Sequence, residues 1–155
     1  MIIRRAEIKD IEYIKNLLSQ VLEVHHSGRP DLFKGGVRKY TDSEISEIIN
    51  DNSRPIFVAD ESGEVLGYAF CVITEHKDDN ILTDIKTLYI DDLCVDENTR
   101  GKHIGKTLYD YVLNFAKEIG CYNVTLNVWY CNKSAMAFYE KMGLTPQKIG
   151  MEKIL

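Results

Sequence analysis

The sequence predicts a mixed α/β fold, and three observations carry that prediction. Strand-like runs of alternating apolar residues and helix-like runs with apolar residues at intervals of three and four follow one another along the chain. No internal repeat, low-complexity tract or linker interrupts them. A length of 155 residues with 45% hydrophobic content suits one domain with one buried core, so we take residues 1–155 as a single unit.

The first half of the chain is predicted to contain two helices and three strands. Its first helix follows from apolar residues that recur at helical spacing from Ile8 to Leu22, and glycine and proline in residues 25–36 end it. A turn over residues 61–64 joins two alternating runs into a hairpin. In order, the predicted elements are a strand over 1–5, a helix over 8–22, a helix over 43–50, and strands over 54–60 and 65–73.

The second half of the chain is predicted to alternate strand, helix, strand and helix. Apolar residues at helical spacing run from Ile104 to Ile119, and Gly120 then stops the helix. Asn132 caps the final helix and Gly143 closes it. The predicted elements are a strand over 87–95, a helix over 104–119, a strand over 122–129, a helix over 132–143, and one or two strands in the tail, 144–155.

Composition narrows the class of function. The chain has 24 Asp and Glu against 19 Lys and Arg, a net charge of −5, which argues against a nucleic-acid surface and is compatible with a cationic substrate. No window has the apolar length of a signal peptide or a membrane span, so we expect a cytoplasmic protein without a membrane partner. The four cysteines form no CxxC pair and lie in or beside apolar runs, which indicates reduced, mostly packed thiols and no metal site.

The loop before the predicted third helix has the composition of an anion site. Residues 105–107 read Gly-Lys-Thr, but a nucleotide-triphosphate loop needs a glycine five positions before its Gly-Lys pair, where this chain has Arg100. Residues 96–105 instead form a strand-to-helix connection, in which unpaired N–H groups lie at the positive end of the helix dipole. Such a loop binds a phosphate mainly through its backbone, with Arg100, Lys102 and Lys106 adding positive charge.

Two motifs resemble those of the GCN5-related N-acetyltransferase (GNAT) superfamily. Residues 100–105, RGKHIG, are similar to the family's phosphate loop, [Arg or Gln]-x-x-Gly-x-[Gly or Ala], with His103 in the first glycine slot. Residues 132–144, NKSAMAFYEKMGL, are similar to its Asn-x-x-Ala-x-x-Phe-Tyr-x-x-x-Gly-[Phe or Leu] pattern. The order of elements is similar over residues 1–155, with the specific match within residues 88–144. The resemblance implies a central mixed, mostly antiparallel sheet flanked by helices, with a splay between the two central strands.

The resemblance implies acetyl-CoA as co-substrate, with its pyrophosphate on the loop and its pantetheine arm in the splay. The residues implied in binding it are Leu93, Cys94, Val95, Arg100, Gly101, Lys102, His103, Ile104, Gly105, Lys106 and Asn132. The strand backbone at 93–95 would bind the arm and stabilise the developing oxyanion. Asn132 would contact the cofactor, cap its helix, or do both. We expect His103 to be already helical and exposed, so that histidine costs little there.

The resemblance also suggests which groups act on the amine and on the thiolate. Tyr139 lies off the apolar stripe of its helix, where its hydroxyl would act as general acid; packing at the core edge is the alternative. Asp91 matches the first acid of a Tyr-x-Glu-Asp pattern in diamine acetyltransferases, which makes it the leading base or ammonium-binding group. Asp92 is the second candidate, and strand alternation would send the two carboxylates to opposite faces. Purely structural roles for both acids stay open.

We therefore expect an acetyl-CoA-dependent N-acetyltransferase that uses no metal and forms no covalent enzyme intermediate. A small primary amine of the polyamine or amino-sugar type is the leading acceptor. Asn127 stands where acetyltransferases of ribosomal-protein N-termini carry a glutamate, which weakens a peptide or protein acceptor without excluding it. A non-catalytic acyl-CoA-binding module is the remaining alternative. Many family members dimerise, so a homodimer is compatible with the resemblance.

Overall fold

A computed structural model describes residues 1–155, and a five-stranded sheet forms its centre. The strands, in their spatial order, are β1 Ile2–Arg5, β2 Ile56–Glu61, β3 Glu64–Glu75, β4 Lys86–Val95 and β5 Asn123–Leu126. Neighbouring strands from β1 to β4 pair antiparallel, whereas β4 and β5 are parallel. The prediction of a mixed, mostly antiparallel sheet with helices is therefore confirmed.

Helices cover both faces of this sheet. They are α1 Ile11–Gly28, α2 Asp42–Ile49, α3 Ile104–Glu118 and α4 Lys133–Lys141. One face packs against α1 and α2 through a buried cluster that includes Leu17 and Ile45, and the other packs against α3 through residues such as Leu88 and Val112. The apolar residues of α4 join the α3 side. None of the helices combines the length and the apolar character that crossing a bilayer requires.

The predicted strands of the tail are wrong. Residues 144–155 form no strand, and the apolar side chains of Ile149, Met151 and Ile154 are exposed. Alternating apolar residues make a strand only where another strand completes their hydrogen bonds, and no strand of the chain pairs with the tail. The one ion pair of the tail joins Glu152 to Arg29.

Two predicted boundaries also differ from the structure. The first helix begins later than expected, at Ile11 after one 3₁₀ turn, and it continues through His25 and His26 to Gly28. The strand expected to reach residue 129 ends at Leu126. The first helix thus extends past Leu22 and ends at Gly28, the first glycine of residues 25–36.

An opening between β4 and β5 matches the splay that the family resemblance implies. Pairing between the two strands ends at Ile90 and Leu126, although β4 continues to Val95 beside β3. Residues 91–95 therefore have a strand neighbour on one side only. We call the space on their unpaired side the β4–β5 opening.

A β-bulge in β4 places Asp91 and Asp92 on the same face of the sheet. Cys71 of β3 lies opposite Ile90 and Phe70 lies opposite Asp92, so Asp91 is the extra residue. Both carboxylates contact side chains on the α1 and α2 face, whereas Ile90 belongs to the cluster under α3. The expectation of opposite faces is wrong, because the bulge interrupts the alternation on which it rested.

Candidate active site

Asp91 holds an ammonium group at the start of the β4–β5 opening. Its Oδ2 accepts hydrogen bonds from the Tyr40 hydroxyl at 2.5 Å and from the Lys39 Nζ at 2.9 Å. The Asp91 side chain is 18% exposed and that of Lys39 is 42% exposed, so water screens this pair only in part. The Tyr40 ring stacks on Phe70 with ring centroids 5.3 Å apart, which fixes the direction of its hydroxyl. Asp91 is thus arranged as an ammonium-binding carboxylate.

Asp92 is a carboxylate whose charge changes near neutral pH. Its Oδ2 accepts a hydrogen bond of 2.7 Å from the hydroxyl of Tyr68, which is buried in β3. Burial raises the pKa of Asp92 to about 6, against the opposing effects of the Tyr68 bond and the positive charge of Lys39. A general base works best with a pKa close to the working pH, so Asp92 suits that role.

The charge of Asp92 acts electrostatically on the hydroxyl of Tyr139. Burial first, and then the Asp92 carboxylate, raise the pKa of Tyr139 well above that of a free tyrosine. Its hydroxyl therefore stays protonated at neutral pH and is available as a donor. The neighbouring Phe138 packs against the core cluster under α3, with its ring 5.2 Å from that of Tyr139. Phe138 therefore faces the core.

The side chains of residues 93–95 are held away from the β4–β5 opening. Leu93 and Val95 pack in the clusters under α3. Cys94 is buried on the opposite face, with its Sγ 3.5 Å from the carbonyl oxygen of Leu17. Burial raises the pKa of Cys94 to about 12, so it stays a thiol. Any ligand in the opening would therefore meet backbone atoms of this segment.

The loop before α3 offers a row of free backbone donors. The backbone N–H groups of residues 100–106 donate to no carbonyl and to no side chain of the chain. Their positions end at the first turn of α3, where the helix dipole is positive. The Lys106 ammonium is engaged with Asp110, and Arg100 and Lys102 are exposed. The loop has the donors and the field to bind a phosphate through its backbone.

His103 is not helical, contrary to the sequence expectation. Its φ of 60° and ψ of 16° place it in the left-handed region, one residue before α3 begins. Gly101 has a φ of 87°, so the chain turns into the helix through two left-handed residues. This conformation costs a histidine about 1–2 kcal/mol relative to a residue without a side chain. The exposure expected for His103 is confirmed.

The protein leaves space for a Cβ at Gly105. A Cβ there would lie 3.5 Å from Val95 and 3.6 Å from Phe138, which are ordinary contact distances. Those two residues belong to β4 and α4. The fold therefore accommodates a Cβ at position 105.

Asn132 caps α4. Its Oδ1 accepts a hydrogen bond of 3.2 Å from the backbone N–H of Ala135, so the capping role predicted from the sequence is confirmed. A contact between Asn132 and a cofactor stays a prediction.

A polar groove, which the sequence did not indicate, lies on the same face of the sheet as the two carboxylates. It has a volume of about 350 Å³, and hydroxyl and amide side chains of β4 and β5 line much of it. They include Thr87, Tyr89, Asn123 and Thr125, with Lys148 at its edge. Because Tyr89 is two positions before Asp91, the groove begins one strand repeat, roughly 7 Å, from the ammonium site.

The sequence analysis did not identify three residues of the site, namely Lys39, Tyr40 and Tyr68. Lys39 and Tyr40 lie in the loop between α1 and α2, where no motif marks them. Tyr68 offered a signal, because a tyrosine within an apolar strand needs a hydrogen-bond partner for its hydroxyl. Its partner, Asp92, is 24 positions away in the sequence, and only the pairing of β3 with β4 joins them.

Comparison with known proteins places the chain among acetyltransferases. A sequence model of the acetyltransferase (GNAT) family matches residues 19–144. A crystal structure of the BH1408 protein of Bacillus halodurans, in a mutant form, superposes with a TM-score of 0.95 and 31% identity over 100% of this chain and 99% of that one.

Two comparisons concern named amino-sugar enzymes. The glucosamine 6-phosphate N-acetyltransferase of Arabidopsis thaliana is 37% identical over 68 residues, which are 44% of this chain and 44% of that protein. A crystal structure of glucosamine-6-phosphate N-acetyltransferase from the same organism superposes with a TM-score of 0.66 and 29% identity over 99% of this chain and 97% of that one. The chain spans about half the length of the curated relatives it matches.

Proposed function

Because the chain belongs to the acetyltransferase (GNAT) family, we propose that it transfers the acetyl group of acetyl-CoA directly to a small primary amine, with an amino sugar as the leading acceptor. One observation carries the proposal. Asp92, whose pKa is raised to about 6, follows the last residue of β4 that pairs with β5 by two positions, and its charge acts on Tyr139, which stays protonated. A base and an acid are the two groups that the reaction requires.

Acetyl-CoA would bind along the path from the loop to the opening. The free N–H groups of residues 100–106 would donate hydrogen bonds to the pyrophosphate oxygens, with Arg100 and Lys102 adding charge at the surface. The pantetheine arm would then lie beside the backbone of residues 93–95, where β4 has no neighbour. This backbone would also stabilise the negative charge that develops on the thioester oxygen. The family supplies the identity of the cofactor, and the loop geometry fits it.

Acetyl transfer would proceed by direct attack. Asp91 would bind the incoming ammonium group, as it binds Lys39, and Asp92 would take its proton, directly or through water. The neutral amine would attack the thioester carbon, the carbon–sulfur bond would break, and Tyr139 would protonate the departing thiolate. The nitrogen would lose its remaining extra proton to water, and Tyr139 would regain a proton from water. In this scheme the two carboxylates would have different tasks: Asp91 would bind the charge of the amine and Asp92 would take its proton.

The polar groove favours an acceptor that carries hydroxyl groups. A polyamine has only amines and methylenes, and it would leave the Thr125 hydroxyl, which has no hydrogen-bond partner within the chain, unpaired in the groove. A hydroxyl of an amino sugar would pair with it, and Lys148 would suit an anionic substituent on the sugar. The names of the relatives that act on glucosamine 6-phosphate support the same class. A peptide N-terminus and a non-catalytic acyl-CoA-binding module are the alternatives.

A CoA-release assay over several amines tests the proposal. We expect glucosamine and glucosamine 6-phosphate to give a higher kcat/KM than spermidine or a short peptide. Thr125→Val removes a groove hydroxyl that makes no hydrogen bond within the chain, and it should raise KM for the amino sugar about tenfold, the equivalent of one lost hydrogen bond. Thr145→Val, outside the groove, is the matched control and should change nothing.

The alternatives predict different results in the same assay. A preference for spermidine, or for the peptide, would replace the amino sugar as acceptor. Acetyl-CoA binding by calorimetry without CoA release from any amine would identify a binding module instead of an enzyme.

A further inference from the structure

One lysine already occupies the place proposed for the acceptor amine. The Nζ of Lys39 lies 2.9 Å from Oδ2 of Asp91, and the Tyr40 hydroxyl binds the same oxygen. The other lysines that form ion pairs do so with carboxylates away from the opening, as Lys15 does with Asp42. Lys39 is therefore the lysine whose amine the fold itself delivers to the β4–β5 opening.

The surroundings of Lys39 are those of the proposed reaction. Asp91 directly follows the last residue of β4 that pairs with β5, and Asp92 comes next. The positive charge of Lys39 acts on Asp92 and also on His25, so the ammonium lies near both. Lys39 belongs to the segment between α1 and α2 and lies outside any helix or strand.

We propose that Lys39 is a self-acetylation site. The inference rests on the proposed function in one respect, namely that the thioester of acetyl-CoA lies in the β4–β5 opening. Lys39 gives one ammonium proton to Asp92 or to water, and its neutral Nζ attacks the thioester carbon. A carbon–nitrogen bond forms, the carbon–sulfur bond breaks, and the thiolate leaves as CoA after taking a proton from Tyr139. The attacking nitrogen loses its second proton to water as the amide forms, and a proton from water restores Tyr139. The products are an acetylated lysine and free CoA, with no oxidant or further reactant.

Acetylation would change the site in a defined direction. An acetylated Lys39 is neutral and can no longer form an ion pair with Asp91. The carboxylate would then be free for the ammonium group of an incoming acceptor. Before acetylation the acceptor must displace the Lys39 ammonium from Asp91. After acetylation no ammonium group of the chain competes for this carboxylate. The modification would therefore prime the enzyme for its small-molecule substrate.

Incubation of the full chain with acetyl-CoA in the absence of any amine tests the inference. Peptide mass spectrometry follows the acetyl group at Lys39 and at Lys34, an exposed lysine in the same segment that serves as the internal control. We expect Lys39 to be acetylated at least ten times faster than Lys34. Excess CoA, which competes for the cofactor site, should suppress acetylation of Lys39 but not of Lys34. The rate constant at Lys39 should also stay the same when the protein is diluted.

Variants separate the site from background chemistry. Lys39→Arg keeps the positive charge beside Asp91 and should remove the fast phase of acetyl incorporation, whereas Lys34→Arg should leave it intact. Equal rates at the two lysines, no protection by CoA, or a rate constant that falls on dilution would each overturn the inference.

The same protein sample distinguishes this inference from the proposed function. CoA release with small amines and no fast acetylation of Lys39 would refute self-acetylation and leave the proposed function standing. Fast acetylation of Lys39 without turnover of any amine would support self-acetylation and refute the proposed transfer to a small amine.

Discussion

Replacing Asp92 with asparagine should stabilise the fold at neutral pH while it removes the proposed base. Asparagine keeps the shape of the side chain and an oxygen that accepts the Tyr68 hydroxyl, but it removes the buried charge. Burial raises the pKa of Asp92 from 3.8 to about 6, and one pKa unit corresponds to about 1.4 kcal/mol. The difference of about two pKa units sets an upper value of about 3 kcal/mol for keeping this carboxylate charged in the fold.

The contribution of Asp92 to the free energy of unfolding decreases as pH rises. Between about pH 4 and pH 6 the folded chain keeps a proton on Asp92 that the unfolded chain has released, so the free energy of unfolding falls as pH rises. The contribution of this proton is complete below about pH 4 and is lost above about pH 6. Asparagine has no such proton. The stability of the variant relative to the wild type should therefore rise by up to about 3 kcal/mol from pH 4 to pH 7.

Urea unfolding curves at several pH values from 4 to 7 measure this difference. Asp91→Asn is the matched control, since it removes the charge that pairs with Lys39 and should bring no gain at neutral pH. Turnover of Asp92→Asn should fall by about 10²-fold or more if Asp92 is the base. A stability difference between variant and wild type that does not change with pH would show that the fold does not raise the pKa of Asp92. Unchanged turnover would remove Asp92 from the mechanism.

Three further changes test the rest of the site. Gly105→Val should weaken acetyl-CoA binding severely, because the side chain enters the path of the cofactor, and Lys102→Ala far less; equal small effects by calorimetry would exclude pyrophosphate binding here. Tyr139→Phe should lower turnover about 10²–10⁴-fold with acetyl-CoA affinity nearly unchanged, and full turnover would leave the hydroxyl only a packing role. His103→Gly relieves a left-handed residue and should raise the unfolding midpoint by about 2–4 °C, whereas Lys102→Gly should lower it.

The elements that the sequence predicted well are those set by local pattern. Apolar residues at helical spacing and the caps beside them located α3 and α4, and alternation located β3 and β4. The tail failed because apolar residues such as Ile149 and Met151 suggested a strand but have no partner strand. Pairing is a property of the whole sheet, and residues 144–155 do not carry that information.

The residues of the site were easier to predict than their arrangement. The family motifs pointed to Asp91, Asp92 and Tyr139, but the face of each carboxylate depends on a register with β3 that no local pattern reveals. The ion pair between Lys39 and Asp91 joins residues 52 positions apart. The left-handed backbone of His103 is equally hidden, because histidine at that position suggested a residue that had already joined the helix.

The bulge in β4 changes which residues of the strand have their side chains on the face of α1, from the odd-numbered to the even-numbered ones. Up to Asp91 the odd-numbered side chains, such as Tyr89, lie on the face of α1, and after it the even-numbered Asp92 and Cys94 do. Deleting Asp91 would therefore restore an unbroken alternation in which every other residue of the strand keeps its face. The additional residue places a second carboxylate beside the first on the face of α1. An alignment of this strand with a relative that lacks the bulge needs a one-residue gap at this point, or it will equate carboxylates that have different partners.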